Sequence, residues 1–411
     1  MNIRRMEREL NVKFSLIQSF YWMAFCSSMG FGSVFLLSND FSNLEVGVVL
    51  AAANVFAVIL QPIIASVADD SKHITLKQLL CILASIATVF SAMLIVVQKG
   101  VSILAVLFVV LLTSIIILQP LISGFTFEFI NQGVLINFGV TRGAGSVSYA
   151  FFSIIIGILL VRFGTNILPY TSFFMLCGVL IMFVLIKDSR TCFKSKKEDI
   201  CNEETKQPID KIKKESLLDF ARTYKKFPGY LFGIVLIFTC HTMFNNYLIH
   251  IVTRIGGTSK SMGIAIFIAA VLELPTMAVF ARVLKKTGIR KLLCFSAVFF
   301  IIKAVGVLGA TNIGLLYINQ ILQVPSYAIM IPASVYYVNF LMREKDRVKG
   351  QAYTTSAITV GAVIGNLIGG TLIDLYGVSA MLIACVLFTI AGFFFILIFT
   401  ESEGGFGDEK A

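Results

Sequence analysis

The sequence predicts an all-α membrane protein of twelve transmembrane helices arranged as two pseudo-symmetric six-helix bundles. Three observations predict it. Hydrophobic residues make up 57% of the 411 and charged residues only 14%, at a mean hydropathy of +0.88, which is the balance of a chain whose solvent is mostly lipid. Apolar runs of about 20 residues, each enough for a helix to cross about 30 Å of hydrocarbon, recur along the whole chain. One long polar interruption, residues 187–228, splits them into two sets of six.

Taken in order, the basic lead Arg4, Arg5, Arg8 and Lys13 opens span 1, Phe14 to Leu37. Span 2, Val46 to Ala68, is closed by Lys72 and Lys77, and spans 3 and 4 follow as Gln78 to Val97 and Ser102 to Ile130. Spans 5 and 6, Gly143 to Arg162 and Pro169 to Ile186, complete a first unit, 1–186. The linker, with "KSKKEDICNEETKQPIDKIKKES", is charged along its length and reads as a mobile connector with a short surface helix near Leu217 to Tyr224. Spans 7 to 12 form a second unit, 229–400, as Tyr230 to Val252, Met262 to Val283, Leu292 to Ala310, Gly314 to Leu341, Ala352 to Ile373 and Val378 to Thr400, with a tail at 401–411. Short connections elsewhere make sequential helices antiparallel neighbours. The start "MNIRRMERELNVKF" leads into a run too long for a leader, with no small-residue cleavage pattern, so none is expected to be removed.

Basic residues in short loops accumulate on the cytoplasmic side. Arg and Lys precede span 1, follow span 2, follow span 8 (Lys285, Lys286, Arg290, Lys291) and follow span 10 (Arg343, Lys345, Arg347, Lys349), whereas the opposite loops offer only Lys99, Arg162, Arg254 and Lys260. The expectation is a multi-pass protein of the cell membrane with both termini and the linker cytoplasmic. The net charge of +11 then reflects topology and anionic inner-leaflet lipid, and no nucleic-acid partner is needed. The eight cysteines lie in spans or in the linker without CxxC spacing, so neither a disulfide framework nor a metal site is expected. The chain carries no GxxxxGK[ST] loop and no assembly of nucleophile, base and metal ligands, which argues against ATP-driven chemistry, a cofactor and an enzyme.

The halves look duplicated. "VGVVLAAANVFAVILQPIIASVADD" has a counterpart in "MGIAIFIAAVLELPTMAVFARVLKK" about 215 residues on, and "SIIIGILLVRFG" in span 5 has one in "VIGNLIGGTLIDLYG" in span 11, with glycines in corresponding places. Repeats of this kind frame a solute site at the bilayer midplane, reached alternately from either side. Small residues in spans 5 and 11 permit close helix contact.

A charge at the bilayer centre costs about 2.5 to 3.5 kcal/mol on insertion scales, so deep charges mark function by default. Glu273, in "AAVLELPTMA", and Lys303, in "FFIIKAVG", are the deepest. They have two readings: neutralisation of each other across neighbouring helices, or the lining of a transport path. Glu128 and Arg142 flank the turn between spans 4 and 5 and admit a similar choice between site residues and loop or anchor charges. Gln61, Gln119, His241, Asn245, Asn246, Asn319, Gln320, Gln323 and Asn366 add deep polar groups, any one of which can serve helix–helix hydrogen bonding. His250 falls near the outer interface and receives no role.

On these residues the chain resembles the major facilitator superfamily, and within it the lactose permease, or oligosaccharide:proton symporter, group, over essentially its whole length. "GVVLAAANVFAVILQPIIASVADD" is similar to that family's second helix and the acidic loop motif after it, with Asp69 at the motif acid and Ala65 where glycine is usual. The resemblance places the family's substrate-binding arginine at Arg142 in "FGVTRGAGSVSYA", its helix 8 glutamate at Glu273 and its helix 9 arginine at Lys303. Tyr149 falls where the group has a tryptophan beneath the sugar ring, and Glu128 lies near the helix 4 acid. The group's proton-handling helix 10 residues fall at Gln320 and Gln323 in "QILQVPS", which do not titrate. Its charge pair between helices 7 and 11 falls at Asn245 and Thr359, both neutral.

The resemblance implies a monomeric secondary transporter that moves a small polar solute, foremost a sugar, oligosaccharide or glycoside, by alternating access. Carboxylate and guanidinium groups suit adjacent hydroxyls, and an aromatic face suits the apolar side of a pyranose. Proton symport is the first expectation, with Glu273 and Glu128 as the acids left to couple it. Uniport, export of another organic solute and, from a different class, a transport-silent membrane sensor are the alternatives.

Overall fold

The computed structural model describes residues 3–70, 74–97, 100–186, 220 and 222–401. Among these, helices account for all twelve spans. Span 1 is Ile3–Phe25, continued by a π turn at Cys26–Gly30 and by Gly32–Leu37, and spans 2 to 6 are Asn43–Asp70, Leu76–Val96, Val101–Asn131, Phe138–Phe163 and Ile167–Leu185. Span 7 is Phe227–Asn246 with a continuation Leu248–Arg254, followed by span 8, Ser259–Thr287, and span 9, Ile289–Leu308. Span 10 is broken into Ile313–Gln320, a 3-10 turn Ile321–Gln323, a π turn Val324–Ala328 and Ile329–Leu341; spans 11 and 12 are Arg347–Tyr376 and Val378–Phe399.

Among the described residues, ten of the spans are long and apolar enough to cross a membrane by length and composition alone. Span 1 falls short for a local reason: it is led in by charges and its helix changes winding at Cys26–Gly30. The helices also outrun the apolar stretches, span 5 beginning at Phe138 and span 11 at Arg347, because a helix continues past the hydrocarbon until its end is capped. Asn137 caps span 5 by accepting from the Val140 N–H at 3.1 Å, and Thr75 and Gln78 form a capping box at the start of span 3. Gly164 and Gly377, with φ of 75° and 81°, stop spans 5 and 11 at equivalent places in the two halves, a backbone conformation that glycine adopts without a Cβ penalty. The predicted linker, 187–228, and the short helix near Leu217 to Tyr224 lie largely outside the described residues.

The halves meet along two helix pairs, span 5 on span 8 and span 2 on span 11. Both contacts rest on glycines. A Cβ on Gly157 would sit 2.7 Å from the Ser259 carbonyl oxygen, and one on Gly263 would strike the Ser153 carbonyl. In the other pair Gly47 lies against the Asn366 backbone and Gly370 against that of Asn43. The Ser153 hydroxyl donates to the Gly263 carbonyl at 2.9 Å. All of these contacts lie in the half of the molecule away from the termini, the loop end. There Val46 and Leu50 of span 2 are 0% and 1% exposed, whereas Phe56, Ile59 and Ile63 towards the termini end are 50%, 54% and 54% exposed. The interface is therefore closed at the loop end and looser at the termini end.

Gly157→Leu should wedge spans 5 and 8 apart. A cysteine placed at Ser153, itself fully buried, should then react with a membrane-impermeant thiol reagent much faster than in the Gly157 background; equal rates would show that the helix pair has room to spare.

Candidate functional site

Two helix deformations face the middle of the interface. Span 1 widens into its π turn four residues after Trp22, and span 10 changes winding twice around Gln323 and Tyr327, where Pro325 removes a backbone donor. Such turns re-aim side chains and free backbone groups, and they recur at functional sites.

In the first half, the Arg142 guanidinium lies 4.2 Å over the Trp22 ring and donates to the Ser146 hydroxyl at 3.0 Å. Stacking on an aromatic face holds a guanidinium with its fork still directed outward. Trp22 in turn donates Nε1–H to the Gln18 side-chain oxygen at 3.2 Å. Gly145 lets it approach: a Cβ there would meet the indole at 2.5 Å. Tyr149 packs edge-on to Trp22, ring centroids 6.0 Å apart, with its hydroxyl beside Gly30 of the π turn.

In the second half, Glu273 on span 8 accepts from Gln323 Nε2 at 2.8 Å, and the other end of the same amide, Oε1, accepts from Lys303 Nζ of span 9. Among the described residues Glu273 and Lys303 form no direct ion pair. The Gln323 amide stands between them, with its orientation fixed by an ammonium on one side and a carboxylate on the other. Lys303 is 3% exposed, and Asn319 donates to its backbone carbonyl at 3.2 Å. The mutual-neutralisation reading thus becomes a three-residue chain across spans 8, 9 and 10, in which Lys303 stands behind Gln323 rather than at the interface.

The two clusters belong together. Arg142 lies within electrostatic reach of Glu273 and Tyr327, and Tyr149 of the same two residues. Each of Trp22, Arg142, Tyr149, Glu273 and Tyr327 is only partly buried despite its depth, so each presents surface to the space between the halves. The Tyr327 ring stacks on His241 of span 7 at 4.4 Å and 7°, and His241 is hydrogen-bonded through Nε2 to Asn245 Nδ2 at 2.9 Å.

Of the residues expected from sequence, Arg142, Tyr149, Glu273 and Gln323 converge here, with Lys303 one step behind. Asn245 joins through His241, not through Thr359, whose hydroxyl donates to the Thr355 carbonyl. Gln320 is buried at the end of the first segment of span 10. Glu128 lies three residues before the end of span 4. The Asp69 side chain lies outside the described residues. Sequence reasoning missed Trp22 and Tyr327. The available signals were that Trp22 is the chain's one tryptophan, set inside a span rather than at its aromatic belt, and that Tyr327 follows a proline within an apolar run.

A twelve-helix bundle joined through spans 2 and 11 and spans 5 and 8, with charged and aromatic groups from both halves at mid-depth, defines a membrane protein of the major facilitator fold. The chain belongs to the MFS_1 like family, whose sequence profile matches residues 12–384. It is similar to a maltose permease of Geobacillus stearothermophilus, 25% identical over 167 residues that are 40% of this chain and 42% of that protein. A putative sugar efflux transporter of Deinococcus radiodurans is 22% identical over 135 residues, 33% of this chain and 34% of that one. The chain therefore matches less than half the length of these curated relatives. Among solved structures, the nucleoside transporter NupG superposes with a TM-score of 0.74 at 15% identity, covering 98% of this chain and 100% of that one. A POT family transporter, PepTSo, superposes at 0.71 and 10% identity over 95% and 96% of the two chains.

Gln323→Leu removes the acceptor of a buried ammonium and the donor to a carboxylate together, and should destabilise the protein by about 3 kcal/mol. Adding Lys303→Met should recover part of that loss, because no buried cation is then stranded. Thermal unfolding in detergent reads both; a single variant as stable as the parent would remove Gln323 from this role.

Proposed function

We propose that the protein is a secondary transporter of a small polar solute, a sugar, oligosaccharide or glycoside, which it binds between Arg142 and Glu273. The observation that carries this reading is the placement of a guanidinium and a carboxylate from opposite halves at one depth, flanked by Trp22, Tyr149 and Tyr327. Two charged groups of opposite sign hydrogen-bond a polyol from both sides, and the aromatic rings suit its apolar face. The partial likeness to a maltose permease supports this class.

The halves, 1–186 and 229–400, rock about the site as units joined by the linker 187–228 and followed by the tail 401–411. With the termini in the cytoplasm, as the Lys and Arg distribution places them, the closed loop end faces outward and this conformation opens inward. The protein works as a monomer in the cell membrane.

Coupling to protons runs through Glu273, with Glu128 as a secondary acid. Gln320 and Gln323 do not titrate. Gradient-driven accumulation is therefore weak or depends on Glu273 itself, while counterflow, which needs no net proton movement, persists.

Uptake of a panel of sugars and glycosides into proteoliposomes, with and without an imposed pH gradient, tests this reading. Glu273→Gln should lower uptake about tenfold or more, the equivalent of one charge-assisted hydrogen bond, with the protein still folded. Arg142→Lys should do the same, since an ammonium neither stacks on Trp22 nor presents a fork. Undiminished uptake by Glu273→Gln would reject the site, and strong accumulation surviving loss of both Glu273 and Glu128 would move coupling elsewhere.

A further inference from the structure

Span 2 starts with a conventional capping box of its own. The Glu45 N–H donates to the Ser42 hydroxyl at 3.2 Å, and the Ser42 N–H donates back to the Glu45 carboxylate at 2.8 Å, the reciprocal pattern that satisfies two backbone donors. That box leaves the N–H groups of Asn43 and Leu44, the first two residues of the helix, without a partner inside span 2. Both are taken by a residue of the other half. Asp374, in the last turn of span 11, accepts from the Asn43 N–H at 3.1 Å and from Asn43 Nδ2 at 2.7 Å through Oδ1, and from the Leu44 N–H at 2.8 Å through Oδ2. A carboxylate at this position is also favoured by the partial positive charge of the helix N-terminus. Span 2 is thus capped across the interface, at the closed end.

The groups beneath this cap are arranged differently. The Tyr247 hydroxyl lies 2.6 Å from the Asn366 carbonyl and 3.2 Å from that of Asn43, and its single proton serves one at a time. Asn43 Oδ1, Asn366 Nδ2 and His250 Nε2 are buried without a hydrogen-bond partner among the described residues. Each is a cost of the closed arrangement that separation of the halves would relieve by hydration. The closed loop end is therefore a balance between a charged, exposed cap and a polar interior that closes incompletely, which is the condition for a two-state gate.

We propose that Asp374 is the latch of this gate: its cap on span 2 holds the loop end shut, and release of that cap is a step in opening to the loop side. The latch rests on the alternating-access reading but not on the identity of the solute. It is distinct from the glycine contacts, which permit the halves to approach but give no bond that must break.

The test is a pair of distance distributions by pulsed electron resonance in the full-length protein in nanodiscs, without solute. Nitroxide side chains introduced as unnatural amino acids leave the native cysteines untouched. One pair, Val161 with Leu375, reports the loop end; the other, Val140 with Val348, reports the termini end, and all four positions are exposed. Asp374→Ala should raise the long-distance population of the first pair several-fold and shorten the second. Asn43→Pro should act in the same direction, because it deletes the Asn43 N–H and Nδ2 donors without touching Asp374, and proline is well accepted in the first turn of a helix. Should Asp374→Ala not fold, Asp374→Asn keeps the shape and one acceptor oxygen and should give a smaller shift of the same sign. Unchanged distributions overturn the latch, and so does a shift with Asp374→Ala that Asn43→Pro fails to reproduce. Because no solute enters the measurement, its failure leaves the binding site standing, and failure of the uptake experiment leaves the latch standing.

Discussion

A carboxylate held at mid-membrane must have its charge answered, and in this protein the answer is an amide. Gln323 takes a proton donor from Lys303 on one side and offers one to Glu273 on the other, so two opposite charges are reconciled without touching. The arrangement binds spans 8, 9 and 10 through side chains and fixes which face of Gln323 meets the interface. It also sets Glu273 at the boundary, with Lys303 sealed behind it. A direct ion pair would have consumed the carboxylate within one half, whereas the bridged form leaves Glu273 oriented towards Arg142 of the other.

The remaining architecture brings the halves that carry those two residues together. Bulkier residues at Gly157, Gly263, Gly47 and Gly370 would hold the helix pairs further apart, and the interface would lose its closed end. Deviations from regular helix geometry fall at the site itself, in the π turn of span 1 and the double change of winding in span 10. Ordinary helices supply the frame, and the irregular turns aim the aromatic groups.

Most of the fold was legible because lipid imposes it. With no water to satisfy the backbone, every crossing segment must be helical and apolar, so the twelve runs and the repeated segments could be read directly. Span ends were less legible, since caps such as Asn137 operate outside the hydrocarbon and polarity there does not stop a helix. In the site, depth alone singled out Glu273 and Lys303, because a charge in lipid is conspicuous. Trp22 and Tyr327 gave no signal by depth: an aromatic residue in an apolar run looks like any core side chain until a helix turn aims it. The Gln323 bridge was also beyond reach, because which of several deep amides joins two charges depends on the winding of span 10 and not on residue type.

The seat of Arg142 on Trp22 gives the molecule an optical property. Trp22 is the sole indole among twelve tyrosines, so red-edge excitation isolates one chromophore, and that chromophore has a positive charge 4.2 Å above its ring. Indole emission shifts with the field along its plane and face. An occupant that draws the guanidinium away would therefore change the colour of the protein's own fluorescence, and titration of the unlabelled chain would register its arrival.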